Sequence, residues 1–336
     1  MRENDMNNTR VTLASRPNGM IKPTDFNVLQ EDLPDLKDGE VLVKQVYMSL
    51  DPAMRGWLDD DEGSYMPPVR IGETMRSFGV GIVEASNNPS FAVGTRVNGM
   101  FGWSEYYVTT GEDLVPLPDD LPLEHFMGLL GLPGATAYHG FMELIDTPKA
   151  GETLLVSGAA GSVGSLVGQI AKAEGLKVIG VTGSDEKKDW LLNELGFDAV
   201  INYKTENLEE MIAKYAPDGI DRHFENVGGK ILEVALDNMK IGGKITLCGL
   251  ISIYNDTEPS VGPHLVRAIA RRLTLKGLVI IDQQHRFGEI FEKLSAYAQK
   301  GQIKYRLDIV DGLKQAPEAI NKLFDGSNQG KLVIRI

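Results

Sequence analysis

Residues Glu152 to Gly175 (ETLLVSGAAGSVGSLVGQIAKAEG) hold two incompatible periodicities joined by a turn, and that junction narrows the folds open to the chain. Thr153 to Val156 is a continuous apolar run of strand length. Ser157 to Gly164 is too rich in glycine to prolong it. Val163, Leu166, Val167, Ile170 and Ala171 then recur at helical spacing up to Gly175, the stripe of a helix lying on a sheet. A second apolar run, Lys177 to Thr182, follows at βαβ distance. The expected order is strand, tight loop, helix, parallel strand.

Within that loop, Ala159-x-Gly161-x-x-Gly164 stands where a dinucleotide fingerprint has three glycines. The central glycine lets backbone approach a pyrophosphate, the last lets helix and strand pack closely, and the helix N-terminus offers unpaired N–H groups. An ordinary glycine-bearing βα turn shares the spacing; the flanking strands and helix favour a nucleotide.

The rest of the chain extends the rhythm. A helix from Ser184 to Leu195, a strand Ala199 to Tyr203, a helix Asn207 to Tyr215, a strand Ile220 to Glu225, a helix Lys230 to Met239, a strand Gly243 to Cys248, a helix through Arg272 and a strand Leu273 to Ile281 predict an α/β fold with a doubly wound parallel sheet. Residues 1–125 lack helical periodicity and carry strand-like runs such as Val41 to Tyr47 and Gly79 to Val83. Arg55 is expected to pair with a nearby carboxylate, and Asp59 to Glu62 to form a solvated loop. Beyond residue 300, strands Leu307 to Val310 and Lys331 to Arg335 flank a helix Leu313 to Phe324 and return the chain to its first domain. With 336 residues, two domains are expected: 1–125 with 301–336, and 126–300.

Composition removes several functions. A net charge of −13 argues against nucleic acid or an anionic membrane as the main partner. There is one cysteine, Cys248, so no internal disulfide and no multi-cysteine zinc site is expected, and no two of the five histidines are spaced like ligands on a helix. No apolar run is long enough to span a membrane and the start, MRENDMNNTR, is polar, which points to a soluble cytoplasmic protein without a bound metal.

The tip of the second strand, Thr182-Gly183-Ser184, lacks the acid that an NAD site places there. Asp185 and Glu186 fall in the first helical turn, where the dipole accounts for them. Lys187 is unfavourable there unless an anion is near, and a ribose 2′-phosphate is such an anion; with Lys188 and Tyr203 as further partners, NADP(H) is favoured over NAD(H). The other explanation is a lysine balancing Asp185 and Glu186. Asn226 to Gly229 and Cys248 to Asn255 follow later strands, where ligands of doubly wound sheets bind. Tyr254 is their only titratable aromatic, placed to donate to an oxyanion or a cofactor hydroxyl, or else only to pack. Cys248 is expected to be an inert core thiol.

SLDPAMRG, GWSEYYV, GLPGATAYHG, VSGAAGSVGSLVGQIAK, GSDEK, GFDAVINYK, FENVGG, CGLISIYN and NQGKLVIRI occur in order along nearly the whole chain. In these motifs it resembles the zinc-independent alkenal/one oxidoreductase branch of the medium-chain dehydrogenase/reductase superfamily. The resemblance implies a β-rich GroES-like domain, completed by the C-terminal segment, and a Rossmann domain with the active site in the cleft. It implies NADPH, with Gly161, Ser162, Val163 and Gly164 at the pyrophosphate, Lys187 and Tyr203 at the 2′-phosphate, and Asn226, Cys248, Gly249, Ile251, Ser252, Tyr254, Leu278, Val279, Ile280 and Asn328 completing the site. It also suggests a homodimer. One departure is Ala53, where the branch usually has an aromatic residue, which bears on the size of the substrate pocket.

Alcohol oxidation in this superfamily relies on zinc, which a chain with a single cysteine cannot hold in the usual way. The expected reaction is therefore reduction of a conjugated C=C bond in a small apolar enone or enal. Hydride adds to the β-carbon, the enolate oxygen is stabilised by the nicotinamide ribose hydroxyl assisted by Tyr254, and the α-carbon takes a proton from water. Quinone reduction and NADPH binding without turnover are the alternatives.

Overall fold

The computed structural model describes residues 7–336; the polar start, Met1 to Met6, lies outside the described residues. The chain divides into two compact units, one made of residues 1–127, 307–327 and 332–336, the other of 128–306 and 328–331.

The first unit is built mainly of strands. β1 (Asn7–Leu13) and β2 (Phe26–Asp32) form an antiparallel pair. They are followed by β3 (Val41–Ser49), a single turn of helix α1 (Met54–Trp57), β4 (Gly79–Ser86), β5 (Arg96–Gly99), β6 (Tyr106–Thr109) and β7 (Val115–Pro116). Leu13, Met48, Met54, Leu58 and Trp103 form one core, in which Ala53 packs partly buried. Arg55 is buried and pairs with Asp59 at 2.6 Å, as its setting predicted, and Asp60 to Glu62 are exposed.

In the second unit the strands are β8 (Thr153–Val156), β9 (Lys177–Thr182), β10 (Ala199–Asn202), β11 (Ile220–Glu225), β12 (Met239–Leu247) and β13 (Thr274–Gly277). The helices around them are α2 (Leu132–Tyr138), α3 (Ser162–Ala173), α4 (Asp185–Asn193), α5 (Leu208–Tyr215), α6 (Gly229–Asn238), α7 (Val266–Arg271) and α8 (Phe287–Gln299). The sheet order is β10-β9-β8-β11-β12-β13, all parallel, so the winding direction reverses between β8 and β11. That order is the doubly wound one, and its reversal point is where ligands bind beyond the strands' carboxyl ends. The apolar stripe read along α3 is buried: Leu166, Val167, Ile170 and Ala171 are at most 1% exposed. Phe197 fills the gap between α3 and β9, its ring occupying the space that side chains at Gly168 and Gly180 would need.

The chain then returns to the first unit through β14 (Leu307–Asp311) and β15 (Lys331–Arg335), which join β3 in the order β14-β15-β3-β4-β5-β7, with β6 also on β3. Leu313, Ile320, Leu332 and Ile334 complete the core begun by Leu13 and Trp103.

Two expected elements end differently. The strand expected over Leu273 to Ile281 stops at Gly277, because β12 ends at its partner Leu247 and leaves no ladder beyond; Ile280 opens a 3₁₀ turn. The helix expected over Leu313 to Phe324 is broken into short turns: Pro317 lacks an N–H and starts the segment Ala316–Ala319 rather than continuing one. Pro133 is the opposite case, since it sits in the first turn of α2 and is tolerated there. Among the described residues no helix is long and apolar enough to cross a membrane.

Glu143 ties the end of the α2 segment to α8. Its carboxylate meets Arg286 at 2.9 Å, His139 at 3.0 Å and Lys293 at 3.3 Å. Burial pushes its pKa up, but these three partners outweigh burial and hold it at about 2, against 4.5 for the free group. The folded state therefore gains stability above pH 4.5 and loses it as pH falls toward 2. Glu143→Gln should cost about 1–3 kcal/mol at neutral pH, the lower figure allowing for solvent screening. Urea unfolding should show the gap to the unmodified protein closing below pH 4.5; a gap independent of pH would disprove this account.

Candidate functional site

The site is built at the carboxyl ends of β8, β9, β11 and β12, all within the second unit. After β8 the chain makes a turn in which Gly158 takes φ +56°, and Gly161 caps α3 without any side-chain hydrogen bond. The N–H groups of Ser162, Val163 and Gly164 lie in the first turn of this 12-residue helix, where no preceding helical carbonyl exists to accept them. A Cβ on Gly164 would lie 2.5 Å from the Gly158 carbonyl oxygen, so the loop closes down on the helix only because that residue is glycine. Gly161 is less crowded, with its nearest atom at 3.2 Å. The open face at Gly161 and the free amides fit a pyrophosphate. Ala159, the departure from the three-glycine pattern, is fully buried, and its methyl faces Gly180 of β9; a Cβ there would come within 3.0 Å of it. The missing glycine of the fingerprint is thus supplied from the neighbouring strand.

At the tip of β9, Ser184 caps α4 by accepting from the Lys187 N–H at 3.3 Å. Of the acids beside Lys187, Asp185 accepts from Asn202 Nδ2 at 2.7 Å and Glu186 from Gln329 Nε2 at 2.6 Å. Lys188 does not join Lys187 at this tip; its ammonium pairs with Glu206 at 2.7 Å. Tyr203 follows β10 and comes close to Gly183, where a Cβ would meet its hydroxyl at 3.3 Å and the Lys204 side chain at 3.2 Å. A tyrosine hydroxyl and the Lys204 side chain beside a strand tip without an acid suit a phosphate monoester. Lys204 was overlooked in the sequence, where only its adjacency to Tyr203 could have signalled it.

Beyond β11, Asn226 donates from Nδ2 to the Ser157 carbonyl at 2.7 Å, which fixes the orientation of its amide. Its carbonyl accepts from the Ile251 N–H at 3.2 Å, and that of Val227 accepts from the Ser252 N–H at 2.9 Å, drawing the turns after β11 and β12 together. Cys248 and Gly249 both donate backbone N–H to the Glu225 carbonyl, at 2.9 and 3.1 Å. Burial and the nearby Glu225 carboxylate push the Cys248 thiol up to about 12, so it stays protonated and unreactive. Tyr254 Oη accepts from the Leu250 N–H at 3.1 Å. Leu278 leaves β13 with its N–H on the Leu247 carbonyl at 3.0 Å, and Val279 and Ile280 continue from there. Asn328 is buried and donates to the Gly330 carbonyl, while the Gly330 N–H reaches Ala160 at 3.2 Å, so this segment runs beside the glycine turn.

Two other features do not contribute. A cavity of about 260 Å³ lies among Ala216, Asp218, Asn238 and Arg271, at the opposite, N-terminal ends of β11 and β12. Among the described residues no three His, Cys, Asp or Glu side chains converge as metal ligands.

Comparison with known proteins adds whole-length similarities. Residues 9–117 match the family model described as the N-terminal domain of oxidoreductase, and residues 162–296 the model described as zinc-binding dehydrogenase. The chain is 40% identical over 343 residues to the NADPH-dependent curcumin reductase of Escherichia coli, covering 100% of this chain and 99% of that one. It is 40% identical to the NADP(+)-dependent 2-alkenal reductase of Nicotiana tabacum, over 99% of this chain and 98% of the relative. The crystal structure of CurA from Vibrio vulnificus in complex with NADPH superposes with a TM-score of 0.92 at 40% identity, covering 97% of this chain and 98% of that one.

Proposed function

The chain belongs to the NADP-dependent alkenal/one oxidoreductase branch of the medium-chain dehydrogenase/reductase family, and from that membership we propose that it uses NADPH to reduce the C=C bond of small apolar α,β-unsaturated ketones and aldehydes. The observation that carries this is whole-length similarity to reductases named for NADPH and for alkenals. The amides of Ser162, Val163 and Gly164 hold the pyrophosphate, and Lys187 and Tyr203, with Lys204 beside them, hold the 2′-phosphate. Asn226, the segment Cys248 to Ser252, Leu278 to Ile280 and Asn328 surround the rest.

When bound, NADPH supplies hydride to the β-carbon of the substrate. Negative charge then moves to the carbonyl oxygen, which needs hydrogen-bond donors. Tyr254 is that donor, acting directly or by orienting a ribose hydroxyl. The Leu250 N–H donating to its oxygen holds the ring in place and polarises its O–H. The α-carbon takes its proton from water. Tyr254→Phe should lower kcat by about 100–1,000-fold, the range for one donor to a developing oxyanion, with little change in NADPH affinity. Full activity in the variant would remove Tyr254 from the reaction.

The reaction itself is tested by following NADPH oxidation with 3-nonen-2-one and with 1,4-quinones and identifying the product. The saturated ketone is expected; activity on quinones alone would refute the assignment. We also propose a homodimer. Val261 and Ile269, 98% and 76% exposed, precede the edge strand β13 and support an assembly through this region. A monomer mass by light scattering would exclude it.

A further inference from the structure

Beneath the loops of the site lies a charged cluster that the reaction does not use. His223 and Glu225 alternate along β11 on one face and, with Ser157 at the end of β8, are at most 1% exposed. One Glu225 oxygen accepts from Ser157 Oγ–H, from the Val227 N–H at 2.5 Å and from the Gly228 N–H at 2.9 Å. The other faces His223 Nε2 at 2.8 Å, and His223 Nδ1 faces the Leu155 carbonyl at 3.1 Å. Both imidazole nitrogens thus meet oxygens, one of which can only accept, so the pair must hold a proton beyond those of a carboxylate and a neutral imidazole. Burial pushes the Glu225 carboxyl up, but His223, Ser157 and the Gly228 N–H together hold it below the usual carboxylate range. An acceptor carboxylate at the centre of the cluster is the consequence. Cys248, the remaining titratable group facing Glu225, is neutral.

A buried polar pair gives little net stability compared with apolar residues of the same size, so this one calls for another explanation. Its hydrogen bonds supply one. Ser157 Oγ, donating to Glu225, accepts from the Asn226 N–H at 2.7 Å, and the Ser157 carbonyl accepts from Asn226 Nδ2 at 2.7 Å. Asn226 is thereby held at two points with Oδ1 as its remaining acceptor, while Val227 and Gly228 are held by the carboxylate itself. The turn needs such anchoring, because Gly228 and Gly229 sit at φ +83° and +53°, where glycine has its widest freedom.

We propose that the His223–Glu225 pair is a positioning element which, through Ser157, sets Asn226 and the turn to Gly228 against the nicotinamide half of the cofactor. This rests on the NADPH site proposed above. The pair touches neither the tip of β9 nor α4, so its effect is confined to one half of the dinucleotide.

Two variants test it. Glu225→Gln keeps the size of the side chain and removes its charge; the double variant His223→Leu/Glu225→Met replaces the pair by apolar groups and should melt lower than the unmodified protein, because it leaves the Val227 and Gly228 N–H groups without their acceptor. In both, the Kd for NADPH should rise roughly tenfold, the cost of one hydrogen bond to the ligand held out of place, while 2′,5′-ADP, which carries only the adenosine and 2′-phosphate half, binds as before. NADPH affinity unchanged in both variants overturns the proposal, as does parallel loss of NADPH and 2′,5′-ADP, which would mark a merely structural pair. Failure of the unmodified protein to bind NADPH would instead overturn the site assignment itself.

Discussion

Gly164→Val is expected to give a protein of lower melting temperature that gains no stability from NADPH. The added Cβ would stand 2.5 Å from the Gly158 carbonyl oxygen and 3.0 Å from Ala159 Cα, and both obstacles are backbone. Neither can rotate away as a side chain would, so the turn must lift off the helix. Overpacking of this kind costs about 1–3 kcal/mol in stability. The larger loss is to binding, because the lifted turn no longer leaves the amides of Ser162 and Val163 open to a pyrophosphate. For the unmodified protein, saturation at about a hundredfold the Kd adds roughly 2.7 kcal/mol; melting curves with and without NADPH should show that shift vanish. Gly161→Ala provides the contrast. Gly161 has φ −78°, open to any residue, and its Cβ would be 3.2 Å from the nearest atom. Its melting temperature should fall less than that of Gly164→Val while NADPH affinity falls, since its one close contact is 3.2 Å rather than 2.5 Å from the Gly158 carbonyl oxygen. Normal NADPH binding by Gly164→Val would mean that the glycine turn is not the pyrophosphate site.

The second large effect is expected from Lys187→Ala. The KM for NADPH should rise by roughly tenfold or more, as a charge-assisted contact of about 1.5–3 kcal/mol is lost. NADH has no 2′-phosphate, and its KM should not move, so the preference between the cofactors narrows. Asp185 and Glu186 accept from Asn202 and Gln329, which leaves the backbone of α4 anchored when the lysine is shortened. Steady-state kinetics with both cofactors decides the matter. An unchanged NADPH/NADH ratio would return Lys187 to an ordinary surface role.

These two residues also show what the sequence could reveal. The glycine turn and α3 were legible because opposing periodicities meet there, and Lys187 because a cation opens a helix. The α/β class and the alternating strands of the second unit followed from apolar runs of strand length. Element ends were less legible. Where β13 stops depends on where β12 stops, and Pro317 reads equally as a helix interior or a helix start until its neighbours are placed. The buried pair was hidden for a different reason: in the string Arg222-His223-Phe224-Glu225, nothing says that two ionisable residues face inward. Their burial follows from β11 lying in mid-sheet, between β8 and β12, and position in a sheet is a long-range property. The exchange between Ala159 and Gly180 was invisible likewise, since it links residues on different strands.

Phe197 imposes an order on sequence change. Its ring would come within 1.9 Å of a Cβ at Gly168 and 3.1 Å of one at Gly180, and it does so from a loop between α4 and β10. A lineage that enlarged either glycine first would pass through an overfilled intermediate, whereas one that first trimmed the ring would pass through a vacant but foldable one. A side chain at residue 168 therefore needs a smaller residue at 197, and one at residue 180 needs room from both Phe197 and Ala159.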